Sequence, residues 1–100
     1  MESLLPVGSI VYLKEGNVKL VIEGVCQFTN QDGKEKPVYY DYVASQYPAG
    51  LDVDNVFYFN TASIDQVVFE GYKSEDHDRY LQVVKEWATN HPDDFEIGEV

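Results

Sequence analysis

An α+β fold is predicted, with about five antiparallel strands forming one sheet and a C-terminal amphipathic helix packed on one face. Three observations predict it. Short apolar runs with alternating polarity fill the first two-thirds of the chain. Turn-forming Gly, Asn and Asp clusters separate those runs. A single stretch with helical spacing, Tyr80, Val83, Val84 and Trp87, follows near the C-terminus.

The elements follow in chain order. Ile10 to Leu13 is a short apolar strand, closed by turn residues Glu15-Gly16-Asn17. Val18, Leu20, Ile22 and Cys26 then share one face of a second strand, with Lys19, Glu23 and Gln27 on the other, and Gly24 marks a bulge or a close backbone approach. Asn30-Gln31-Asp32-Gly33-Lys34 makes a hairpin loop into a third strand, Val38 to Val43. The polar stretch Ala44 to Asn55 is longer than the usual connection of ~4–6 residues, which marks it as a functional loop or one packed by its own Tyr47 and Leu51.

Val56 to Asn60 forms a fourth strand with Phe57 and Phe59 inward. Thr61 to Asp65 makes a helical turn, and Gln66 to Glu70 the last strand. Ser74 caps the helix, with Glu75 and Asp76 suited to its positive first turn, and Trp87 anchors its packing. Asn90-His91-Pro92 ends it. Residues 1–92 are expected to be one domain, and 93–100, rich in Asp and Glu, an acidic flexible tail.

Composition narrows the function classes. At 44% hydrophobic and 14% aromatic residues, the chain can offset the entropy of ordering and fold by itself. Eighteen acids against seven Lys and Arg give a formal net charge of −11. Binding to nucleic-acid phosphates or an anionic membrane needs clustered cations, so no nucleic acid and no membrane is expected as partner. The opening Met1-Glu2-Ser3-Leu4-Leu5-Pro6 has neither the basic region nor the apolar stretch of a signal peptide, so a cytoplasmic location is expected.

Candidate chemistry is sparse. Cys26 is the only cysteine and lies in an apolar run, where a thiol is buried and inert. His77 falls among Glu75, Asp76 and Asp78 as a surface residue, and His91-Pro92-Asp93-Asp94 lacks the supporting shell of a metal site. Asp52-Val53-Asp54-Asn55 starts like a calcium loop but lacks the later Gly and Glu. No phosphate-cradling glycine pattern is present. The expectation is therefore no catalytic residues, no metal and no cofactor. By strand parity, Val21, Tyr39, Tyr58 and Val68 point away from the core face, and Tyr47 sits in the long loop. Tyrosines offer large amphipathic contact area at low rotamer cost, so these five residues form the candidate partner-binding surface.

Three phrases carry a family resemblance: Leu4-Leu5-Pro6-Val7-Gly8-Ser9-Ile10-Val11, Gln46-Tyr47-Pro48-Ala49-Gly50, and Ile64-Asp65-Gln66-Val67-Val68-Phe69-Glu70-Gly71-Tyr72. In this order they resemble DUF4176, small proteins often encoded among type VII secretion genes and LXG toxins of Gram-positive bacteria. The resemblance spans residues 4 to 87. It implies a non-enzymatic chaperone or targeting factor that holds an LXG-type toxin before export, its partner being the toxin's amino-terminal helical region. The alternative is an immunity protein that neutralises a secreted toxin, for which an acidic surface suits a basic target.

Overall fold

The long hairpin comes first in the folding logic, because its strands make the largest interface in the sheet. In the computed structural model, which describes residues 4–100, β2 (Leu20–Thr29) and β3 (Val38–Gln46) pair antiparallel from Leu20↔Gln46 to Thr29↔Val38. Gly33 at φ 80° makes the turn between them, where a side chain would be strained. Residues Met1-Glu2-Ser3, part of the opening segment read above for a leader, lie outside the described residues.

The ladder slips by one residue between Ile22 and Gly24, a β-bulge at the place the glycine suggested. A Cβ on Gly24 would stand 2.8 Å from a Val43 methyl, so the close approach accompanies the bulge. The slip changes the strand's phase. Leu20 and Ile22 are buried, and beyond the bulge Val25 takes the inward position opposite Tyr42. Cys26, at φ 57°, is buried beside it.

β1 (Ile10–Leu13) pairs with β2 on one side and β5 (Ile64–Phe69) on the other, and β4 (Phe57–Phe59) flanks β3. The order is β4-β3-β2-β1-β5. A 3₁₀ turn, Thr61–Ser63, links β4 to β5 and answers to the predicted helical turn. α1 (Glu75–Asn90) follows, and the Ser74 hydroxyl accepts from the His77 N–H at 3.2 Å, as capping requires. This is the predicted α+β architecture: one antiparallel set of strands and one C-terminal helix.

Three expectations are corrected. The segment after Pro92 is docked rather than flexible: β6 (Glu96–Ile97) adds to β3 as a parallel strand. Gly98 N–H donates to Tyr39 O at 2.8 Å, and Asn60 holds the same segment by donating to Gly98 O and Val100 O at 2.7 and 2.6 Å. Acidity does not keep the segment in solvent, because Phe95 within it packs on Phe28 with ring centroids 5.4 Å apart. The helix is also turned from its predicted orientation. Leu81 is its buried residue, with His77, Val84 and Ala88 half-buried on the same side, whereas Trp87 is 41% exposed. Finally, Phe59 is buried as expected, but Phe57 is turned outward.

Candidate functional site

The polar groups that the fold gathers most tightly run from its core at Cys26 and Tyr39 to its surface at Thr61. Tyr39 OH donates to Asp41 Oδ1 at 2.9 Å and sits 3.8 Å from Cys26 Sγ. Asp41 Oδ2 in turn accepts from Thr61 N–H at 2.8 Å and Thr61 Oγ1 at 3.0 Å, while Asp41 N–H donates to Asn60 Oδ1. The network ties β2, β3 and the end of β4 together.

Its chemistry is structural. Burial pushes the Cys26 thiol above its usual range, and the hydrogen bond with Tyr39 only partly opposes this. A thiolate nucleophile needs the opposite shift. Burial, then the neighbouring Cys26 and Asp41, push the Tyr39 phenol up strongly as well. Among the described residues no group of three or more His, Cys, Asp and Glu is placed to hold a metal ion. His77 Nε2–H donates to Leu4 O at 2.9 Å, so this histidine pins the N-terminal segment to α1.

The five residues chosen from sequence are not one patch. Tyr39 is a correction: it is 4% exposed, enclosed by the rings of Phe28 and Phe95, and belongs to the core. Parity placed it outward, but the docked C-terminal segment and Phe28 cover that side. Val21 is half-buried between Ile10 and Ser45. Tyr47 is exposed in its loop with Lys19 Nζ 5.5 Å from the ring centroid. Tyr58, exposed on β4, packs on Tyr40 at 5.6 Å between centroids. Val68 is exposed on β5, at the other edge of the sheet. Four strand spacings of about 4.8 Å, ~19 Å along the sheet, separate Tyr58 from Val68.

Exposed apolar side chains concentrate elsewhere. Every β5 residue from Asp65 to Phe69 is exposed, among them Val67, Val68 and Phe69, and Tyr72 just beyond is 85% exposed. Register slips opposite Ile10/Val11 and Tyr12/Leu13 bulge this edge strand, which blunts it against uncontrolled pairing. On α1, Tyr80, Val83 and Trp87, at i, i+3 and i+7, form a stripe in which Val83 faces solvent and Tyr80 and Trp87, which reach Val25 O and the Phe28 ring, stay partly exposed. At the N-terminal end of α1 lies a cleft of about 550 Å³ between the Pro6-Val7 segment, the β2 bulge and the helix, lined by Pro6, Val7, Val25, Tyr72 and Tyr80, with Asp76 and His77 at one side. Sequence reasoning missed it, though Val7 and Tyr72 lie within the family phrases.

The fold and this surface define a small single-sheet α+β domain with solvent-facing apolar side chains along one edge strand and along its helix. The chain belongs to the family described as a domain of unknown function, DUF4176, whose sequence model matches residues 4–80. No curated protein and no solved structure gives a match. Among the described residues no helix is long and apolar enough to cross a membrane.

Proposed function

We propose that this protein is a non-enzymatic, cytoplasmic binding factor, a chaperone or targeting partner for an LXG-type toxin exported by type VII secretion. The observation that carries the reading is the exposed apolar surface of β5 and α1. A small domain that leaves Val67, Val68, Phe69, Tyr72, Val83 and Trp87 in solvent holds material for a protein interface. Two further points support it. In the tightest polar cluster, Cys26–Tyr39–Asp41, the Cys26 thiol and the Tyr39 ring are buried, and burial pushes the thiol's pKa up, so the cluster offers no ready nucleophile to a substrate. The genomic company implied by the family resemblance supplies the toxin as partner.

The formal charge of −11 favours a second reading, an immunity protein that blocks a basic toxic domain. Co-purification with the amino-terminal and carboxy-terminal halves of a toxin encoded beside it separates the two. Retention by the amino-terminal half is the expected result. Retention by the carboxy-terminal half, with loss of toxicity, establishes the immunity role instead, and retention by neither removes both.

A further inference from the structure

The apolar face of α1 is wider than the sheet that covers it. At about 100° per residue, Tyr80, Val83 and Trp87 lie roughly 100° round the helix from the buried stripe of Leu81, Val84 and Ala88. The sheet takes the Leu81 half of that face. Tyr80 and Trp87 stand at its border, the Tyr80 hydroxyl 3.4 Å from Val25 O and the Trp87 ring against Phe28, yet they keep 45% and 41% exposure beside Val83 at 57%, and at the N-terminal end Tyr80 opens into the cleft beside Val7 and Tyr72.

From this arrangement we propose that the exposed stripe of α1, with the cleft at its N-terminal end, receives a basic amphipathic helix of a partner protein. The proposal rests on the protein-binding reading above and adds the place and the chemistry of the partner. A helix is favoured over an extended segment for a backbone reason. α1 has no free ladder of N–H and C=O groups to offer, so a strand laid on it would leave both of its own edges unpaired, whereas a helix satisfies its backbone internally. The stripe from Tyr80 to Trp87 runs for about 10 Å, the length over which two helices cross ridge into groove.

Charge selects the basic partner. The chain from Glu70 to Arg79, which borders the cleft, carries Glu70, Glu75, Asp76 and Asp78 against Lys73 and Arg79, an excess of two acids. Asp76 lines the cleft itself and stands on the same helical line as Val83 and Trp87. A second copy of this chain would bring another −11 and a second Asp76 to the contact, so self-association through the stripe is disfavoured.

Trp87 is the sole tryptophan, so its fluorescence reports occupancy of the stripe directly. The probes are a synthetic Leu–Lys peptide of about 18 residues with Leu on one helical face, a scrambled peptide of identical composition, and the Leu–Glu counterpart, each titrated at about 0.15 M salt. The facially ordered Leu–Lys peptide is expected to bind with a shift in Trp87 emission, at least about tenfold more tightly than either control. Val83→Glu, on an exposed position that should leave the fold intact by circular dichroism, is expected to weaken binding about tenfold or more. Val53→Glu, on an exposed loop residue outside the β5 and α1 surface, is expected to leave it unchanged. Equal binding of the scrambled peptide, indifference to Val83→Glu, or loss with Val53→Glu overturns the assignment to α1. In the toxin co-purification, retention that survives Val83→Glu would discard this docking site while keeping the binding function.

Discussion

Tyr39 concentrates the residue-scale lesson. Its ring is enclosed by Phe28 and Phe95, and its hydroxyl joins Asp41 to Cys26. Tyr39→Ala is expected to cost about 3–5 kcal/mol, as for other buried aromatics, and to show as a large fall in the urea midpoint. Tyr39→Phe keeps the packing and removes the hydroxyl that donates to the half-buried Asp41 carboxylate, and should cost about 1–2 kcal/mol. Ionisation gives a second test. The folded protein holds the Cys26 thiol above its ordinary 9.0 and the Tyr39 and Tyr42 phenols above 10.0, in each case chiefly by burial. Above those ordinary values the unfolded chain releases protons that the folded chain retains, so stability falls as pH rises. Denaturation midpoints are expected to hold steady to about pH 9 and then decline, with a weaker decline in Cys26→Ala. A midpoint that rises through this range would refute the buried, protonated network.

At the scale of elements, the places of the strands and of the helix were legible, because alternation, turn glycines and the Ser74 cap are local signals. The Gly24 bulge was legible for the same reason. Which arc of α1 faces the sheet was not, because its apolar face is wider than one contact, and spacing cannot say which half the sheet takes. The structure buries Leu81 and leaves Trp87 half-open against Phe28 and His91. Leu81→Ala should therefore be the costlier change, about 2–4 kcal/mol against about 1–2 for Trp87→Ala, as compared by chemical denaturation. Equal costs would return Trp87 to the role of anchor. The docking of Phe95 and β6 was also hidden, since it depends on non-local contacts with Phe28, Asn60 and β3. Gly98 tests that docking with a single atom: a Cβ there would stand 2.2 Å from the Tyr40 ring. Gly98→Ala should release the C-terminal segment, seen as faster amide exchange at Glu96 and Gly98 and lower stability. Unchanged protection would mean that the segment is not held where Tyr40 and Gly98 meet.

On the scale of the whole molecule, charge is the quantity that local structure does least to offset. Eighteen acids face seven Lys and Arg, and among the described residues the one ion pair, Lys34–Glu96, spans 3.9 Å between half-exposed groups. Such a pair contributes little, whereas a net charge of −11 disfavours the compact state by self-repulsion. Salt should therefore act in one direction. Raising sodium chloride from about 0.01 to 0.15 M shortens the screening length from ~30 to ~8 Å, which weakens long-range repulsion more than any short contact. The melting temperature is expected to rise over that range and then level off. The same salt should weaken binding of a basic partner, because attraction across an interface is screened as repulsion within the domain is. A melting temperature that falls with salt would mean that attractive pairs outweigh the net repulsion, and would undercut the electrostatic case for a basic partner.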